Sequence, residues 1–178
     1  MSDYCHLPPY RVDFNHIPLS VADGVDWGLE AYGIPSLWKQ SQGAGVTVAV
    51  VDSGIAPHPA LNDAVAEYRN FSTDSDLHDT LGHGTHVAGI IGARSGLAKG
   101  IAPESKLLSL KVLGHSGMGS NDAVAEAIQY ATEYKVDIIS MSLGGGRPDA
   151  KMHAMIQRAT AAGIIIVCAA GNDGGSVN

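Results

Sequence analysis

The chain has 178 residues, 45% hydrophobic and 16% charged, which fits one α/β domain and excludes a disordered or fibrous polypeptide. Eleven Lys and Arg against 18 Asp and Glu give a net charge of −7, and no basic cluster reverses it, so nucleic acid is not an expected partner. The longest apolar runs are strand-sized, too short to cross a bilayer, so no membrane partner is expected either.

Residues 1–24 show no periodicity and carry Pro8, Pro9 and Pro18, which favour extended backbone, so they read as an N-terminal extension ahead of a domain over 25–178. The extension has no basic region followed by an apolar core, so a secretory leader is not expected. Cys5 in this tail and Cys168 at the end of a buried strand read as two free thiols, which points to a reducing, cytoplasmic setting. A short helix is predicted around Ile34 to Gln42, with Pro35 and Ser36 near its start and Trp27 and Trp38 as packing residues. Gly43-Ala44-Gly45 precedes the next strand rather than following one, so it is no dinucleotide fingerprint. The apolar, β-branched run 46–51 predicts that strand, and Asp52 stands at its carboxyl end, where α/β sheets place functional groups. Residues 55–61 read as a surface loop. Residues 62–81 read as a polar connection whose Asp74, Asp76 and Asp79 lack the glycine and terminal Glu of a Ca²⁺ loop and are expected to be solvated.

Residues 82–89, GHGTHVAG, predict a tight loop feeding a helix with His83 in its first turn. Gly82 and Gly84 allow close backbone approach, Val87, Ala88, Ile90 and Ile91 offer a face to bury, and His83 is placed as a general base. A strand over 106–113 leads to the Gly-rich loop 114–120, which lacks the Gly-Lys ending of a phosphate loop, and then to a helix over 121–134. A strand over 136–142 runs into Leu143 and three glycines. A helix over 149–162, with Met152, Met155 and Ile156 in the core, is ended by Gly163 and followed by a strand over 164–169. This alternation predicts a mostly parallel α/β sheet, with Asp52, the Gly117 loop, Leu143 and Asn172 all after strand carboxyl ends.

The run ending in Asp52-Ser53-Gly54, the segment GHGTHVAG and the run IIIVCAAGN, in that order, resemble the subtilisin-like serine proteases. The resemblance implies a three-layer fold, a mostly parallel central sheet flanked by helices, here incomplete at the C-terminus. It implies that Asp52 accepts a hydrogen bond from His83 and that the Asn172 amide faces the developing oxyanion. Gly117, Met118 and Gly119 would pair with bound peptide. Ser142, Leu143, Gly144 and Gly145 would form one wall of the P1 pocket and Ala169, Ala170 and Gly171 the other. His6 to Tyr10 resembles the Leu-Ile-Pro-Tyr element of intracellular subtilisins, so Leu7, Pro8, Pro9 and Tyr10 are expected to lie across the cleft and inhibit it. Structural Ca²⁺ is the only cofactor the family suggests. Its tight site looks absent, since Ala60 replaces an Asp and the loop before Gly100 is short and lacks Asn. The family's Gly-Thr-Ser-Met-Ala motif has no counterpart before Asn178. Three readings follow: the N-terminal portion of a serine endopeptidase completed by a C-terminal fragment, an inactive pseudo-protease that binds peptides, or a subunit whose uncovered face joins a homo-oligomer or another protein.

Overall fold

A computed structural model of the chain describes residues 4–7, 27–94, 99–145 and 148–171. The elements in chain order begin with β1 (Tyr4–His6), α1 (Trp27–Ala31), α2 (Ile34–Leu37), β2 (Thr47–Asp52), β3 (Val65–Asn70) and α3 (His83–Gly92). They continue with β4 (Lys106–Lys111), β5 (Met118–Ser120), α4 (Asn121–Tyr134), β6 (Ile138–Met141), β7 (Gly144–Gly145), α5 (Ala150–Ala161) and β8 (Ile165–Cys168).

Five strands form one sheet in the order β3-β4-β2-β6-β8, every neighbouring pair parallel. The centre strand β2 is buried on both faces, which its unbroken Val48-Ala49-Val50-Val51 run requires. On one face Val48, Val50 and Leu107 pack with Ala88 of α3. On the other, Ala49, Val51, Leu108, Leu110 and Ile139 pack with Val124 and Ile128 of α4 and Ala159 of α5. The result is the helix–sheet–helix layering expected of the subtilisin-like fold. Both long helices are capped by sequence: the Ser120 side chain accepts from the Ala123 N–H at 3.1 Å, and the Asp149 side chain from the Met152 N–H at 2.7 Å. Gly163, at φ +85°, takes the left-handed position that ends α5.

Several expectations are corrected. The helix expected over 34–42 is only the one-turn α2, continued by turns, and a separate short helix, α1, precedes it across Gly33 at φ +68°. Trp27 packs poorly and is 63% exposed, whereas the Trp38 indole N–H donates to the Ile101 carbonyl at 2.9 Å. The connection 62–81 contains β3, an edge strand whose alternation of half-buried and exposed residues hides it in a polar sequence. The 55–61 loop is anchored at both ends by buried Ile55, Ala60 and Leu61. Ile90, expected to be buried, lies on the open side of α3. Of the run expected to be buried, Ile164 is in the core, but β8 is a largely exposed edge strand, and Cys168 is exposed with it. Cys5 is not in a loose tail: it is fully buried in β1.

Candidate active site

Asp52 ends β2, the centre strand of the sheet, with β4 on one side and β6 on the other. That is where an open parallel sheet forms its crevice. Its side chain is 0% exposed, and one oxygen, Oδ1, accepts both from the Ser53 N–H at 2.7 Å and from His83 Nδ1 at 2.8 Å. An ionised carboxylate only accepts, so the bond fixes the proton on Nδ1 and leaves Nε2 as the basic nitrogen. Burial pushes the Asp52 carboxyl above its ordinary range, and the His83 hydrogen bond partly offsets this. A buried base-orienting carboxylate against a partly exposed imidazole is an arrangement that can accept and hold a proton.

Close backbone contact brings the pair together. α3 starts directly at His83, entered through Gly82 at φ +89°. A Cβ on Gly84 would lie 2.1 Å from the Gly54 carbonyl oxygen and 3.2 Å from Asp52 Cβ, so only glycine lets the helix start approach the turn after β2. Gly84→Ala is therefore expected to destabilise the fold by about 3 kcal/mol or more. Urea unfolding of the variant, with a midpoint near wild type as the contrary result, checks this.

The sequence read Asp79 as solvated; it is 9% exposed, and Ser53, Leu81, Gly82 and Thr85 donate to it. Asp79 and Ser53 are the residues near the pair that sequence reasoning missed. The available signal was an acidic residue just ahead of a helix whose N-cap, Gly82, has no side chain. Buried Lys111 holds the same turn from β4, its Nζ donating to the Ser53 carbonyl at 2.9 Å.

The segments expected to pair with peptide flank a strand of the chain itself. β1 lies antiparallel between β5 and β7, with Cys5 opposite Gly119 and Gly145 and His6 opposite Met118 and Gly144. The Leu7 N–H donates to the Gly117 carbonyl at 3.1 Å. A Cβ on Gly117 would lie 3.7 Å from a Leu7 methyl and 3.8 Å from a Leu81 methyl, so this end of β1 reaches the loop that leads into His83. Ser142 and Leu143 follow β6, and Ala169, Ala170 and Gly171 follow its neighbour β8, so the two expected pocket walls leave adjacent strand ends. Asn172, Pro8, Pro9 and Tyr10 lie outside the described residues.

The Ca²⁺ expectation has one structural handle. Ala60 is buried beside Leu61 and Ala64 and offers no side-chain oxygen, so the position does not fit the family's tight site. Among the described residues no group of His, Cys, Asp or Glu is arranged to hold a metal, and no helix is long and apolar enough to cross a membrane.

A family profile described as Peptidase_S8, the subtilase family, matches residues 43–178. The chain is 42% identical over 183 aligned positions to an intracellular serine protease of Paenibacillus polymyxa, covering 95% of this chain and 53% of that protein. It is 41% identical to the major intracellular serine protease of Bacillus subtilis, covering 83% of this chain and 49% of that protein. It is 37% identical to the minor extracellular protease Epr of the same organism, covering 86% of this chain and 25% of that protein. The chain thus spans about half the length of the first two relatives.

Proposed function

The chain belongs to the subtilase family, and on that premise we propose that it is the portion of a subtilisin-type serine endopeptidase that supplies the base and its orienting carboxylate. The observation that carries the reading is the 2.8 Å bond from His83 Nδ1 to a fully buried Asp52 oxygen. In this mechanism a serine hydroxyl, supplied by polypeptide outside these residues, attacks the scissile carbonyl while His83 Nε2 takes its proton. Asp52 keeps the imidazole in the right tautomer and stabilises the imidazolium. His83 then returns the proton to the leaving amine. Asn172 is assigned to the oxyanion, Gly117 to Gly119 and Gly144 to Gly145 to the peptide backbone, and Ser142, Leu143 and Ala169 to Gly171 to the P1 side chain.

Substrates are proteins or peptides that enter the groove as an extended strand. The extension is assigned as an inhibitor of that groove, because β1 already makes the two-sided pairing a substrate would make. A C-terminal complement is favoured over a second copy by the open apolar surface. Ile138 packs on the α3 side of the sheet, so its register partner Ile165, and Val167 two residues on, face that side. They are 61% and 54% exposed. The remaining half of such a protease, as long as this one, has the size to cover them. The cytoplasm is the proposed location, in keeping with the names of the Paenibacillus polymyxa and Bacillus subtilis intracellular proteases and with two free thiols. No Ca²⁺ is assigned to the position of Ala60.

Labelling the native protein with a fluorophosphonate probe, followed by intact-mass analysis, tests the reading. An adduct on a serine outside residues 1–178, lost when His83 is replaced by alanine, is the expected result. Native protein that takes no label, yet binds extended peptides, would instead make this a pseudo-protease.

A further inference from the structure

Asp79 accepts five hydrogen bonds, four from the segment around His83 and one from Ser53. Its Oδ1 accepts from Ser53 Oγ at 2.9 Å, Leu81 N–H at 2.9 Å and Gly82 N–H at 3.0 Å. Its Oδ2 accepts from Thr85 N–H at 3.0 Å and Thr85 Oγ1 at 2.6 Å. The donors lie on both sides of His83 in sequence, and the one remaining neighbour, the Gly84 N–H, donates to Ser53 Oγ at 2.9 Å. Ser53 also donates its own N–H to Asp52 Oδ1. The bonds therefore close a ring: Asp52 to Ser53, Ser53 to Asp79, Asp79 to the 81–85 segment, and His83 back to Asp52.

The ring answers a local defect. A helix start leaves its first N–H groups without intrahelical partners, and the usual remedy is a side-chain oxygen at the N-cap. Here the N-cap is Gly82, with no side chain to offer. Ser53 and Asp79, from outside the helix, take the N–H groups of its second and third residues, and the Asp79 charge stands at the positive end of the helix. Burial would raise the Asp79 carboxyl, but the Thr85, Leu81 and Ser53 hydrogen bonds outweigh it and hold the group below its ordinary range, so it is an anion at neutral pH.

We propose that Asp79, acting with Ser53, is a positioning residue that sets the direction of the His83 imidazole toward Asp52. It touches neither substrate nor His83's ring in the bonds described; it fixes the backbone on which that ring is carried. The inference rests on the pair reading given under Proposed function. Asparagine in place of Asp79 keeps the shape but turns one acceptor into a donor, so it cannot serve the Oδ1 and Oδ2 donor groups together.

The test is the low-field proton NMR signal of the His83 Nδ1–H bonded to Asp52, recorded on the full chain for wild type, Asp79→Asn and Ser53→Ala. The expected result is a wild-type signal that is lost in Asp79→Asn and weakened in Ser53→Ala, while the remaining spectrum stays dispersed and folded. A wild-type chain without the signal overturns the Asp52–His83 pair and this inference with it. Folded Asp79→Asn with an unchanged signal overturns the inference alone and makes Asp79 merely a stabiliser of the loop. Should Asp79→Asn fail to fold, Ser53→Ala, which removes the Ser53 Oγ bonds to Asp79 and to the Gly84 N–H and leaves the Asp79 bonds to Leu81, Gly82 and Thr85 in place, decides in the same way.

Discussion

Asp52→Asn in the whole protease is expected to lower kcat/KM by roughly 10⁴-fold, a figure for which subtilisin itself is one of the source proteins. The replacement fits the same fully buried site, so the fold is kept. What changes is the partner His83 sees. The carboxylate can only accept, whereas an asparagine can present its amide nitrogen to Nδ1, allow the other tautomer and remove the charge that stabilises the imidazolium. The same substitution is expected to raise stability at neutral pH. Burial lifts the folded-state pKa of Asp52 above its ordinary 3.8, so the native state gives up this proton less readily than the unfolded chain. Ionising the group therefore costs stability, a cost absent below the unfolded pKa and fully present once the pH has passed the folded one. Urea midpoints of wild type and variant should be furthest apart at pH 7, variant higher, and converge as the pH falls toward the ordinary carboxylate range. A variant that loses stability at pH 7 would show that the His83 bond outweighs the desolvation.

This opposition of stability and chemistry was not legible in the residues, although its components were. β2, β4 and α4 are readable because each is an unbroken apolar run or a 3.6-residue pattern that the core enforces, and α4 falls over the expected residues 121–134. His83 at a helix start and Asp52 at a strand end followed from the same patterns. β3 escaped notice because an edge strand needs no continuous apolar face, and its Val65-Ala66-Glu67-Tyr68-Arg69-Asn70 run has none. β1 escaped as a strand because three residues carry no period; it exists only through partners more than 110 residues away. Asp79 was misplaced for a related reason. Its bond to Ser53 joins residues 26 positions apart, and nothing in a local polar stretch announces such a tie. Local pattern thus located the catalytic candidates, while long-range pairing determines how they are held and what covers them.

The pairing of β1 between β5 and β7 gives the second large effect. Cys5→Asp is expected to release β1 by roughly 10²-fold in the docking equilibrium, a shift of about 3 kcal/mol. Cys5 is 0% exposed and belongs to the same apolar cluster as Leu113, Val124 and Met141, and that burial raises its thiol to about 11. The thiol therefore sits neutral in an environment that penalises charge. Aspartate is close to it in size but ionised at neutral pH, so the variant tests charge rather than volume. Cys5→Ala, which loses only a little apolar contact, should leave β1 in place. Amide exchange at the Leu7 N–H, bonded to the Gly117 carbonyl, reads the docking directly. In the whole protease the same variant should raise peptide turnover, because the pairing edges at Met118–Ser120 and Gly144–Gly145 become free for substrate. The two readouts separate the physics from the biology. Faster exchange with unchanged turnover would mean that β1 leaves the groove but never limited access to it, and the extension would then be a structural strand rather than an inhibitor. Unchanged exchange would mean that the Cys5 pocket does not hold the strand, and that backbone pairing to the glycine edges carries it alone.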